Sequence, residues 1–172
     1  STRYTVLGPA PVMRWLDNIS PSIRRIESPR HRGLTRFLYE RKDVVTGVEK
    51  TSADVVYFPF NTKPEVPVTS LLMVHDLAAN YYRKHHPTYQ PMKIQILARR
   101  VSWSIRSASA VVTPTESIAR EVREQYPDFD GPVFPIREAA TVKVHPRAGS
   151  RRFEEPNIVL LSGSKLPHKC QD

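Results

Sequence analysis

The chain has 172 residues, enough for one ordinary α/β domain with a real core and hardly for two. Its 40% hydrophobic and 25% charged residues are the balance of a soluble globular protein, and the formal net charge is +9. No apolar run approaches the roughly 20 residues that span a bilayer, no signal peptide is visible at the start, and the single cysteine, Cys170, excludes an internal disulfide, so a reducing cytoplasm is the expected compartment.

In chain order, Arg3 to Leu7 reads as a strand stopped by Gly8-Pro9-Ala10-Pro11. Val12 to Asp17 reads as a short helix and Ile23 to Ile26 as a second strand. Leu34, Phe37 and Leu38 recur at helical spacing opposite Arg36, Glu40 and Arg41, which predicts an amphipathic helix from Gly33 to about Lys42. Asp54-Val55-Val56-Tyr57-Phe58 and Leu71-Leu72-Met73-Val74 are short, nearly continuous apolar runs. Runs of that kind, bounded by Pro and Asn, fit strands of a parallel sheet covered on both faces. From Gln90, the apolar residues Ile94, Leu97, Ala98, Val101 and Ile105 alternate with Lys93, Arg99, Arg100 and Arg106 to predict a basic amphipathic helix. A crossover helix on the sheet is the plain reading of it, and a membrane-facing helix the sharper one.

Ser109 to Val112 is the next expected strand. Thr113-Pro114-Thr115-Glu116 then reads as a capping box, with Thr113 as the cap and Glu116 reaching back. Pro132 to Ile136 reads as a weak strand, residues 138–156 as a linker, and Asn157 to Leu161 as another buried strand. The expected fold is therefore α/β with a Rossmann-like doubly wound parallel sheet over residues 1–137. Residues 157–172 would either add an edge strand to that sheet or begin a second domain that is cut short.

In open α/β sheets ligands sit beyond the carboxyl ends of the strands. That directs attention to Pro59-Phe60-Asn61-Thr62 and to His75-Asp76. A histidine directly after an apolar strand can present its imidazole to a ligand, or hydrogen-bond the next loop. Asp76 can orient His75, bind a hydroxyl or cap the following turn, and Asn61 can hold a hydroxyl or serve a turn. His85-His86 are adjacent, so they point different ways and read as loop histidines rather than metal ligands. Walker, GxGxxG, CxxC, HExxH and GxSxG motifs are absent from the sequence. The positive charge is uneven: residues 77–115 hold six Arg or Lys and no acid. Such a patch suits nucleic acid, anionic lipid or phosphorylated small molecules. No recognisable nucleic-acid-binding motif accompanies it, so nucleic acid is not an expected partner.

The segment Asp54-Val55-Val56-Tyr57-Phe58-Pro59-Phe60-Asn61, followed by Val66-Pro67-Val68 and Val74-His75-Asp76-Leu77, resembles the amino-terminal domain of family 4 retaining glycosyltransferases. The likeness continues at Ala110-Val111-Val112-Thr113-Pro114-Thr115-Glu116-Ser117. It appears again at Ser162-Gly163-Ser164-Lys165-Leu166-Pro167-His168-Lys169, covering roughly residues 34 to 170. The resemblance implies the amino-terminal half of a GT-B fold, transferring a hexose with retention from a nucleotide-sugar to a glycan or lipid-linked acceptor. It implies His75 as the catalytic residue, Asn61, Asp76 and Thr113 on the acceptor side, and Lys169 on the donor's diphosphate. No metal or other cofactor is expected, since a fixed cation offsets charge on the leaving group. Cys170 stands where the family has Asn, and the family's Pro-Asn-Gly-Val segment is replaced by Phe134-Pro135-Ile136-Arg137-Glu138. The chain thus reads as a fragment of a roughly twofold longer enzyme, expected to be inactive alone, through truncation or a frameshift. The alternative is a non-catalytic basic binding module for a phosphorylated or glycan ligand, and a peripheral contact with an anionic membrane is a further expectation.

Overall fold

The structure is a computed structural model, and it describes residues 4–8, 10, 13–14, 23–28, 35–89 and 91–137. Strands β1 (Thr5–Gly8) and β2 (Arg24–Glu27) pair in parallel, Thr5 opposite Arg24, as a two-stranded sheet. Helix α1 (Thr35–Thr51) leads into a four-stranded sheet of β3 (Val55–Phe58), β4 (Thr69–Met73), β5 (Ala110–Thr113) and β6 (Val133–Pro135). These strands lie side by side in chain order and are all parallel. Between β4 and β5 run α2 (Ala78–His85) and α3 (Pro91–Arg106), and α4 (Glu116–Gln125) joins β5 to β6.

Crossovers that all step the same way along a sheet fall on one face, given the near-universal right-handed connection. The register puts Val56, Phe58, Leu72, Val111 and Val133 on a common face. That face carries the core, closed by Val101 and Ile105 of α3, Val122 of α4, and Leu77, Ala108 and Tyr126 from the connecting turns. Leu72, Ile105, Val111 and Val122 are wholly enclosed. Each large aliphatic side chain buried in this way contributes about 1.5–3 kcal/mol. On the opposite face Met73, Ala110 and Val112 are buried, whereas Val55, Tyr57 and Phe134 stay about half exposed.

The mixed α/β class with parallel strands is as expected. The described strands, however, form two sheets rather than one continuous sheet. Helix α1 runs well past the expected end at Lys42, to Thr51. Val44 packs against the core and Val48 is buried one turn later, so tertiary packing outweighs the modest helix preference of the Val and Gly residues there. Leu7 of β1 lies over Gly47, 3.4 Å from where a Cβ would stand. Helix α2 was not expected from the sequence, and it makes His85 a helical residue in the last turn. There His85, Tyr81, Tyr82, His86 and Tyr89 form a chain of ring contacts, with Tyr82 and Tyr89 stacked at 5.2 Å.

The capping box needs correcting. The cap of α4 is Thr115, whose hydroxyl accepts from the Ile118 N–H at 3.2 Å. Thr113 is still a strand residue pointing to the core, and Glu116 pairs with Arg123 at 3.2 Å rather than reaching back. Most of the expected helix at Val12–Asp17, the linker at 138–156, and the strand and second-domain start at 157–172 lie outside the described residues.

Candidate functional site

Because all four strands of the larger sheet run the same way, their carboxyl ends gather along one edge. Asn61 follows β3 on that edge, and His75 and Asp76 follow β4. The Asn61 side chain joins the two loops. Its Oδ1 accepts from the His75 backbone N–H at 2.8 Å. Its Nδ2 donates to the Asp76 carbonyl at 3.0 Å and reaches Asp76 Oδ1 at 3.3 Å. An amide suits this position because it accepts and donates at once.

The His75 ring is turned back onto the neighbouring loop, with Nε2 2.8 Å from the Pro59 carbonyl. A carbonyl only accepts, so this contact needs the proton on Nε2. Asp76 Oδ1 also accepts from the Ala78 N–H at 3.0 Å, an Asx-type bond that opens α2. The residue preceding that helix, Leu77, has no side-chain acceptor of its own, which leaves the capping work to Asp76. Asp76 remains exposed to solvent while it does so. Asn61, His75 and Asp76 are thus one hydrogen-bonded unit.

Thr113 sits at the end of the next strand, but its side chain is fully buried and its hydroxyl donates to the Thr115 carbonyl at 3.0 Å. It holds the β5–α4 turn from inside rather than offering a hydroxyl at the surface. Lys169 lies outside the described residues.

A second polar group beside the unit was not evident in the sequence. Asn80 Nδ2 donates to Gln125 Oε1 at 2.7 Å and to the Tyr126 hydroxyl at 2.8 Å, tying α2 to α4. Gln125 in turn donates to Glu121 Oε1 at 2.9 Å. Burial pushes the Glu121 carboxyl above its ordinary value. The Gln125 bond opposes that shift, and the charges of Asp76 and Glu124 add to it. Behind Asp76 the edge thus has a partly buried carboxyl whose protonated form is favoured relative to an ordinary glutamate. In the sequence Glu121 falls among the charged residues of an amphipathic helix, and no spacing singles it out.

Among the described residues no group of three or more His, Cys, Asp or Glu side chains is placed to hold a metal ion. Among the same residues no helix is long and apolar enough to cross a membrane. Comparison with protein-family models, curated proteins and solved structures finds no match to this chain.

Proposed function

We propose that this chain is the acceptor-side, Rossmann-like domain of a retaining glycosyltransferase of the GT-B type. The intact enzyme would transfer a hexose from a nucleotide-sugar to a glycan or lipid-linked acceptor. One observation carries the reading: the two segments with the strongest family wording end adjacent parallel strands, and Asn61, His75 and Asp76 in their loops are bonded into one unit. In this reading Asp76 accepts hydrogen bonds from acceptor hydroxyls, His75 shapes the sugar site, and Asn61 sets the position of both. Lys169 offsets the charge that grows on the leaving diphosphate, so the reaction needs no metal.

The test is calorimetric titration of the chain with nucleotide-sugars and with a panel of oligosaccharides. Saccharide binding is expected to vanish in Asp76→Asn and His75→Ala without loss of the folded signal in circular dichroism. Nucleotide-sugar binding is expected to depend on Lys169, read from Lys169→Ala. If neither ligand class binds, or if all three variants bind as the parent does, the reading fails. A second reading, a non-catalytic basic module for a phosphorylated or glycan ligand, draws on the commitment of the His75 ring to the Pro59 carbonyl. Anion or glycan binding that ignores both His75 and Lys169 would favour it.

A further inference from the structure

Helix α3 has two apolar faces. Ala98, Val101 and Ile105 pack inward on the sheet. Met92, Ile96, Arg99 and Trp103 follow at i, i+4, i+7 and i+11, which at 100° per residue places them in one stripe on the opposite side. Met92 is 76% exposed, Ile96 39% and Trp103 45%. A helix that only covered a sheet would carry polar residues along that line. Here three large apolar side chains and an arginine take it.

Arg99 and Trp103 also line a cleft of about 350 Å³ together with Arg41, Lys63, Glu65 and Arg100. Its side chains include four cations and one carboxylate, and that carboxylate, on Glu65, already pairs with Arg41 at 3.4 Å. Lys63 is only 2% exposed, with its ammonium 5.3 Å above the Trp103 ring. The loop that carries it is pinned to α3, since the Lys63 N–H donates to the buried Ser104 Oγ at 3.0 Å. Burial lowers the Lys63 pKa, with Glu65 opposing, so the amine gains from an added negative charge beside it. Arg106, at the far end of the helix, is bonded to Asp128 and does not add to the set.

We propose that the outward face of α3 is a docking surface for an anionic lipid bilayer. Met92, Ile96 and Trp103 enter the headgroup layer, and the Lys63–Arg99–Arg100 cleft beside them takes a lipid phosphate. Charge complementarity selects this occupant. Helix α3 itself carries Lys93, Arg99, Arg100 and Arg106 and no acid, so even with Arg106 paired to Asp128 it stays positive toward a negative surface. Apolar side chains interleaved with cations on one helical face are what an interfacial helix presents to such a surface. A protein partner would have to place carboxylates to match these particular cations, whereas an anionic bilayer offers negative charge across the whole face without tailoring. The proposal does not rest on the glycosyltransferase reading.

The experiment is co-sedimentation of the purified chain with two kinds of vesicle, phosphatidylcholine alone and a two-to-one mixture of phosphatidylcholine with phosphatidylglycerol. Tryptophan emission is followed in parallel. The chain is expected to sediment with the mixed vesicles alone, with a blue shift that Trp103→Phe abolishes. Arg99→Glu with Arg100→Glu is expected to weaken binding at least about tenfold, from roughly 1 kcal/mol per cation at such a surface. Met92→Ser with Ile96→Ser is expected to weaken it while leaving the circular dichroism unchanged. Reversal of charge away from this face, in Lys50→Glu with Arg120→Glu, should leave binding as it was. Equal sedimentation with both vesicle kinds would overturn the proposal, as would parent-like binding by the Arg99/Arg100 or the Met92/Ile96 variant. It also fails if inorganic phosphate alone reproduces the Trp103 signal and displaces the vesicles, since the cleft would then serve a free anion.

Discussion

Replacing Asn61 tests the unit on which the candidate site depends. Asn61→Ala removes one part-buried bond, to the His75 N–H, and two bonds at the exposed Asp76. Water replaces the exposed pair, so the cost comes from the His75 N–H and is expected at about 1–2 kcal/mol. Asn61→Asp is the sharper change. It keeps the acceptor for His75 but puts a carboxylate oxygen where the amide now lies 3.3 Å from Asp76 Oδ1. Two unit charges at that distance repel by about 1 kcal/mol in a water-like dielectric, and by more as the dielectric falls. At neutral pH the aspartate variant should therefore be less stable than the parent by about 1 kcal/mol, although it is the closest in shape and keeps the bond to His75. The sign with pH follows from the repulsion. The introduced carboxyl has a raised pKa in the folded state, so its destabilisation is present above that value and is relieved as pH falls through it. Thermal melts across the acidic range, read at about 2–4 °C per kcal/mol for a chain of this size, provide the assay. An aspartate variant as stable as the parent at neutral pH would refute the placement of the amide. So would a gap that did not close on acidification.

Ile105→Ala empties a position with no solvent exposure beneath α3, and is expected to cost about 2–5 kcal/mol in urea unfolding, far more than any change on the outward stripe. Gly47→Ala is expected to stabilise by up to about 1 kcal/mol in the same assay, because a mid-helix glycine is costly and the new methyl meets Leu7 at an ordinary contact distance. Glu121→Gln removes a carboxyl whose pKa is raised, chiefly by burial. Its penalty exists above the raised value, so the variant should gain stability at neutral pH and lose that advantage as pH falls through the carboxylate range. Lys63→Met removes an amine whose pKa is lowered, first by burial. The charged form is the disfavoured one there, so the variant should be more stable at neutral pH, and its lead should shrink as pH rises toward the ordinary lysine range. A lead that widened with pH would contradict the burial of that ammonium.

Local pattern alone was enough to locate every strand of the larger sheet and to establish the existence of the helices that follow Gln90 and the Thr113–Glu116 turn, the second with its cap two residues early. Apolar runs such as Val55–Phe58 and Ala110–Thr113 have few alternatives to a buried parallel strand. The same reading put Asn61, His75 and Asp76 at one edge, because strand ends in a parallel sheet must share it. Two other features failed for local reasons. The α2 segment has two tyrosines and a histidine beside Arg83 and Lys84 in place of a clean apolar stripe, so its period was hidden. At the β5–α4 turn two threonines compete for the cap, and only the depth of Thr113 in the core decides for Thr115.

What the sequence determined by itself was the class of structure, the sign of the charge and the strand ends at which to look, since these follow from periodicity and composition. Tertiary structure alone decided how those residues are used. Asn61 bonds across 14 residues to His75, Lys63 is pinned across 41 to Ser104, and Glu121 feels Asp76 from the loop after β4. Contacts of that span depend on how elements pack, and no local spacing records them. The outward stripe of α3 shows the division most clearly. Its periodicity was visible in the chain as a basic amphipathic helix. That Met92, Ile96 and Trp103 form a second face, beside a cleft of cations from three different segments, appears only once the helix has chosen which side to bury.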